Sequence, residues 1–283
     1  MNYFQIILLL ILIIEIFTIT EKKKEEIKQE ANGKYISSWM GLERTGENIQ
    51  SDLSQISSYS TTFTDISYER YDLGSQSTLV NNGFTDVTND IKSDGLGTWP
   101  MITTVSLTKF HELMENPNQF ITQATEEAVK RQFTGYNIDF EIESDSESDA
   151  QLFAQFLTQF ADALHQHNIQ LSVDIASWST FWDFDLISNT SVDWIITMDT
   201  YCGNDDLFVQ YLQKAIQKIP IQKLLVGLIT VDPNTQKPFT TDQLILRFSQ
   251  LTQNQIKGIG IWDEPVPDNW WYFISSFING HCC

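Results

Sequence analysis

The run Thr134-Gly135-Tyr136-Asn137-Ile138-Asp139-Phe140-Glu141-Ile142-Glu143 concentrates polar chemistry in what reads as a β-strand. Successive side chains of a strand point to opposite faces. Asn137, Asp139, Glu141 and Glu143 therefore share one face, and Tyr136, Ile138, Phe140 and Ile142 share the other. Acidic residues are depleted in strands, and carboxylates this close raise one another's pKa. A destabilising cluster of this kind usually persists because a functional site uses it. A carboxyl group kept protonated near neutral pH is what a general acid needs. The row of Asn137, Asp139, Glu141 and Glu143 is thus a candidate functional site. The bland alternative is a polar interior neutralised by Lys or Arg from adjacent strands, and the other strand candidates supply few of either.

Residues at one strand end act only if other elements bring them partners. From residue 34 onward, eight short runs rich in Ile, Val, Thr, Tyr or Phe recur between Gly, Pro, Asp or Ser clusters. They cover 34–40, 64–71, 99–106, 135–142, 169–176, 192–201, 223–231 and 258–262. Between them, apolar residues recur at helical spacing, most plainly Leu152, Phe153, Phe156, Leu157, Phe160, Ala161 and Leu164. Ser148 or Asp149 is expected to cap that helix. The stretch 74–96 is expected to be a long loop with at most a short helix. Eight strands alternating with helices over about 250 residues is the pattern of a (β/α)8 TIM barrel in a single domain, 34–283. A doubly wound open sheet is the alternative, since periodicity alone cannot close a barrel.

Composition narrows the partners. The 283 residues carry a formal net charge of −20, which excludes a nucleic-acid partner, because phosphate is bound by a basic face. An acidic surface suits an uncharged ligand such as sugar. No protein partner is indicated. The three cysteines, Cys202, Cys282 and Cys283, form neither a disulfide framework nor a metal-binding spacing, and no metal or other cofactor is expected. Residues 6–14 are an unbroken Ile/Leu run, short for a membrane span and suited to a secretory signal. Residues 1–20 are read as a signal peptide and 21–33 as a charged linker, implying a secreted or lumenal protein. The alternative is a membrane anchor formed by residues 6–19.

The strand around Glu141 resembles the signature of the family-18 glycoside hydrolases, the chitinases and endo-β-N-acetylglucosaminidases. That signature reads Asp-Gly-x-Asp-x-Asp-x-Glu on the fourth barrel strand. Gly135, Asp139 and Glu141 match it, while Thr134 and Asn137 replace its first two Asp. The resemblance implies that Glu141 protonates the glycosidic oxygen of a glycan containing N-acetylglucosamine. Asp139 would orient the substrate's N-acetyl group, whose carbonyl oxygen attacks the anomeric carbon in place of an enzyme nucleophile. Asn137 falls in the same substrate-facing row.

By the same resemblance Tyr68 would approach the sugar. Trp262, ending Gly258-Ile259-Gly260-Ile261-Trp262, would floor the subsite of the reacting sugar, its ring face packing on the pyranose C–H surface. The family's Met-x-Tyr-Asp is only partly matched by Met198-Asp199-Thr200-Tyr201. Thr200 occupies the Tyr position, with Asp199 and Tyr201 as the candidate substrate contacts. Two competing functions follow. One is a carbohydrate-binding barrel of the same family that has lost its chemistry. The other is an unrelated glycosidase pairing Glu141 with Asp199 or Glu264.

Overall fold

Which side chains turn inward decides the architecture. The computed structural model describes residues 33–43 and 46–281. Its strands are β1 (Tyr35–Met40), β2 (Asp65–Gly74), β3 (Thr78–Asn81), β4 (Gly97–Thr104), β5 (Gly135–Phe140), β6 (Gln170–Ile175), β7 (Trp194–Thr197), β8 (Leu224–Ile229), β9 (Val231–Asp232), β10 (Lys237–Pro238) and β11 (Gly258–Trp262). The helices are α1 (Gly46–Ser58), α2 (Thr88–Ser93), α3 (Leu107–Glu115), α4 (Pro117–Arg131), α5 (Glu147–His165), α6 (Phe184–Ser188), α7 (Asp205–Lys218), α8 (Thr241–Gln253) and α9 (Trp271–Ile278).

Eight of the strands pair in parallel in the order β1-β2-β4-β5-β6-β7-β8-β11. Strand β1 pairs with both β2 and β11, so the sheet closes on itself and the open-sheet alternative is excluded. The result is a single-domain (β/α)8 barrel. Residues 1–20, read as a signal peptide, all of the charged linker 21–33 except Gly33, and Cys282 and Cys283 lie outside the described residues. Among the described residues no helix is long and apolar enough to cross a membrane.

The interior is packed by large aromatics set against glycines. A Cβ on Gly260 would come 2.7 Å from the Trp39 ring, and one on Gly135 would come 2.6 Å from the Trp99 ring. Only glycine at those two inward positions leaves room for the indoles. Trp39, Met101, Ile196 and Leu225 form the inner cluster. Tyr35 and Trp194 close the floor with ring centroids 4.5 Å apart.

The outward faces build the second layer. Phe140 of β5 packs on Phe153 and Phe156 of α5 at 5.9 and 6.2 Å between centroids. Phe156 in turn meets Phe120 of α4 at 5.9 Å. Burying such a ring is worth several kcal/mol, and truncating one to Ala typically costs about 3–5 kcal/mol. The strand that carries the acids is therefore fixed from behind by apolar packing.

Some expectations need correction. Residues 74–96 hold β3, which pairs antiparallel with the extended end of β2, before α2. The cap of α5 is Ser146, whose Oγ accepts the Asp149 N–H, rather than Ser148 or Asp149. The run 192–201 yields only Trp194–Thr197 as strand, because the Tyr201 N–H bonds the Met198 carbonyl at 2.8 Å and turns the chain.

Candidate active site

The site lies at the C-terminal mouth of the barrel, where β5 delivers its inward row. Register sets Met101 beside Asn137 and Thr103 beside Asp139. The Glu141 N–H then bonds the Thr104 carbonyl at 2.9 Å, extending the ladder past the strand proper. Glu141 is exposed, Asp139 is half-buried and Asn137 is fully buried. One strand thus grades from dry interior to solvent over five residues.

The loop after Glu141 is held rigidly. Ser179 Oγ accepts the Ser144 N–H at 3.2 Å and lies within hydrogen-bond distance of the Ile142 and Ser144 carbonyls. Thr180 Oγ1 donates to the Ser144 carbonyl at 3.0 Å. Ser144 Oγ donates to Asp149 at 2.6 Å, joining the loop to the first turn of α5. These bonds fix the backbone on either side of the exposed carboxyl.

Burial, and the charge of Glu141 next to it, push the Asp139 carboxyl up to about 7. Its Oδ1 is buried and has no hydrogen-bond partner among the described residues. Burial also raises the Glu141 carboxyl. Both shifts favour the neutral acid, because desolvation and like charge penalise the carboxylate.

A third acid, which the sequence reading passed over, completes the cluster. Asp174 of β6 is 4% exposed, and its Oδ1 accepts from Asn137 Nδ2 at 3.1 Å. Asn137 Nδ2 also reaches Ser172 Oγ at 3.0 Å, while its Oδ1 accepts from Trp39 Nε1 at 3.3 Å. Asn137 therefore links the inner tryptophan to the buried carboxyl. Burial raises the Asp174 pKa well above the usual range, with the charges of Asp139 and Glu141 adding to it. The signal that marked β5, a carboxylate in a strand, was present at Asp174 too, in the run 169–176.

Tyr201 joins this group through the turn that ends β7. Its ring lies over Gly227, where a Cβ would come 2.6 Å from Tyr201 Cε1. Burial raises its phenol well above the normal value, followed by the charges of Asp174, Asp139, Asp263 and Glu141. Thr200 is turned away, its Oγ1 hydrogen-bonded with Thr197 Oγ1 at 2.9 Å. Asp199 ties loops together, its Oδ1 accepting the Ser177 N–H at 2.8 Å. Trp262 ends β11 half-buried at the same mouth, 6.5 Å from Trp39 between ring centroids.

Tyr68 is not brought to this group. It sits on the outer face of β2, fully buried, with its hydroxyl hydrogen-bonded to Thr88 of α2 at 2.8 Å. The inward neighbour is Glu69, in register with Met101, and a bulge between Glu69 and Tyr71 follows it. Burial pushes the Glu69 carboxyl up to about 8, helped by a hydrogen bond and repulsion from Glu43. Glu264 is also no free partner for Glu141. It is wholly buried, and its Oε2 accepts the Val266 N–H at 3.3 Å.

Beside the mouth, Trp178 is 58% exposed and meets the buried Trp182 edge-on at 5.3 Å. Phe181 and Trp182 are core. Among the described residues no group of three or more His, Cys, Asp or Glu is arranged to hold a metal ion.

A chitinase from Chromobacterium violaceum superposes with a TM-score of 0.71 at 14% identity, covering 87% of this chain and 98% of that one. The chain has the chitinase barrel fold. The spore cortex-lytic enzyme SleL of Bacillus cereus gives a TM-score of 0.71 at 15% identity, over 87% of this chain and 74% of that one. A class V chitinase from Pseudomonas fluorescens Pf-5 gives 0.71 at 14%, over 87% and 99%. No family model matches the sequence, and no curated protein matches it. The likeness is one of fold, carried by barrel geometry rather than by sequence.

Proposed function

We propose that this chain is a glycoside hydrolase acting on β-linked N-acetylglucosamine glycans, either chitin oligomers or the core of N-glycans, with Glu141 as its proton donor. The observation that carries the reading is the Glu141 carboxyl, open to solvent yet raised by partial desolvation, directly above the half-buried Asp139 in the mouth of a chitinase-type barrel. Glu141 would give its proton to the glycosidic oxygen as the bond to the anomeric carbon breaks. The substrate's own N-acetyl oxygen would attack that carbon, and ionised Asp139 would balance the positive charge that develops on the acetamido group. Water then opens the cyclic intermediate, returning its proton to Glu141. Trp262 would support the reacting sugar, and Tyr201 would take the place left open by Thr200. No metal or cofactor enters the scheme.

A secreted or lumenal location belongs to the same proposal, with a membrane anchor at residues 6–19 as the alternative. N-terminal sequencing of the mature protein separates them. The competing reading, a binding barrel without chemistry, draws on Thr134, Asn137 and Thr200, which depart from the signature. The deciding experiment incubates the wild type and a Glu141→Gln variant with N-acetylglucosamine oligomers and a high-mannose glycopeptide. Cleavage by the wild type alone supports the proposal. Sugar binding by both without cleavage establishes the binding barrel instead.

A further inference from the structure

The floor end of the barrel carries a motif for which the mouth chemistry has no use. Asn189-Thr190-Ser191 is the only Asn-x-Ser/Thr triplet, with x other than Pro, in the 283 residues. That triplet is the acceptor sequence for N-linked glycan, and it works from an accessible surface turn. Here it follows α6 and leads into β7. Two residues on, the Asp193 N–H bonds the carbonyl of Leu171 at the start of β6. The triplet therefore lies at the end of the barrel opposite Glu141, which follows the end of β5.

The turn presents Asn189 and holds what flanks it. Asn189 is exposed, Ser191 is half-buried, and Thr190 between them is only 5% exposed. Thr190 Oγ1 donates to the Ile187 carbonyl at 2.7 Å, and the Thr190 carbonyl accepts from Lys223 Nζ at 2.6 Å. Ser188 Oγ donates to the Lys218 carbonyl at the end of α7, at 2.9 Å. The buried middle residue anchors the turn, and the Asn189 side chain is left on the outside.

The amide itself can be substituted without losing its place. A side-chain amide nitrogen has two N–H donors. Asn189 Nδ2 donates to the Asp185 carbonyl, one turn back on α6, at 2.7 Å. Attachment of a sugar replaces one amide hydrogen and leaves the other, so the modified residue keeps a donor for Asp185.

We propose that Asn189 is a modification site that carries one N-linked glycan on the face opposite the mouth. The inference rests on the secreted or lumenal location proposed above and on none of the catalytic assignments. The co-reactant is an oligosaccharide carried on a lipid diphosphate and transferred in the secretory lumen. Asn189 Nδ2 bonds the anomeric carbon of that oligosaccharide as the bond from the carbon to the diphosphate oxygen breaks. The diphosphate leaves with the electron pair, and the amide gives up one proton. The glycan projects from the floor end, so a sugar chain still reaches Glu141.

The test expresses the full-length chain in a eukaryotic cell, sequences the N-terminus of the product and treats it with peptide N-glycosidase. Release of one glycan, with conversion of Asn189 to Asp in the peptide that contains it, is the expected result. Asn189→Gln and Ser191→Ala should each abolish the glycan, while Ser191→Thr keeps it. Should Asn189→Gln fail to fold, Ser191→Ala decides, because it leaves the bond to Asp185 in place. A glycan on a chain that retains residues 1–20 supports the site and selects the membrane anchor. A chain processed and secreted with Asn189 bare overturns the site and leaves the location standing. A chain left in the cytosol, unprocessed and bare, overturns both and leaves the reading of Glu141 untouched.

Discussion

Both ends of the barrel interior bury acid, and they do so differently. At the floor, Asp65 is 2% exposed, and Ser37 Oγ donates to its Oδ1 at 2.5 Å. Burial pushes this carboxyl up to about 7, while hydrogen bonds from Ser37 and Tyr35 pull it back down. Tyr35, Trp99 and Trp194 leave beside it a void of only ≈ 10 Å³. At the mouth, Asp139 reaches a similar value of about 7, but its neighbours are other carboxyls and it lies beneath the exposed Glu141. The contrast teaches that a raised carboxyl pKa does not by itself mark a site. What separates the two ends is access to solvent and company: a sealed acid with hydroxyl donors is structural, while an open cluster of acids can take part in proton transfer.

Breaking the mouth should have the largest consequence. If Glu141 is the acid, Glu141→Gln lowers kcat/KM by about 10²–10⁴-fold with the fold intact, as measured on chitin oligomers. An equally active variant would remove Glu141 from the chemistry. Trp262→Ala should come next, raising KM by about tenfold, equivalent to about 1.4 kcal/mol of lost sugar stacking. An unchanged KM would assign that ring to packing on Trp39.

The floor should answer to stability rather than to rate. Asp65, with a reference value of 3.8, is a weaker acid in the fold than in the unfolded chain. Unfolding therefore releases its proton between about pH 4 and 7, and stability falls as pH rises through that window. Asp139 and Glu264, each raised to about 7, act in the same direction. The Tm should accordingly be higher at pH 5 than at pH 8. Asp65→Asn should flatten that slope while leaving kcat/KM within about twofold, because the residue lies a barrel's length from Glu141. A Tm that climbs from pH 5 to pH 8 would contradict it. The smallest effect is expected at Tyr68→Phe. Losing its bond to Thr88 should cost about 1 kcal/mol in denaturant unfolding and leave KM alone. A changed KM would mean that the outer face of β2 reaches the substrate after all.

Local alternation was enough to place Asn137, Asp139 and Glu141 in one row, because strand geometry fixes side-chain direction with period two. Strand composition and its Gly and Asp borders also gave β11 its bounds, and helical spacing of three and four gave α5 its buried stripe, Phe153, Phe156, Phe160 and Leu164. The same alternation could not say which face of β2 was inner. Tyr68 and Glu69 are adjacent, and only closure of the ring, with Ser37 of β1 beside Asp65, turns Glu69 inward and Tyr68 toward α2.

By itself, then, the sequence determined the strand-and-helix alternation and the acid row on β5, both consequences of short-range spacing. Tertiary structure alone decided the partners across strands. It set Asp174 on β6 against that row, folded Tyr201 back over Gly227 through a turn, and sealed Asp65 beneath Trp194. Those placements depend on register between segments tens of residues apart, and register is fixed by which faces the closed barrel can bury.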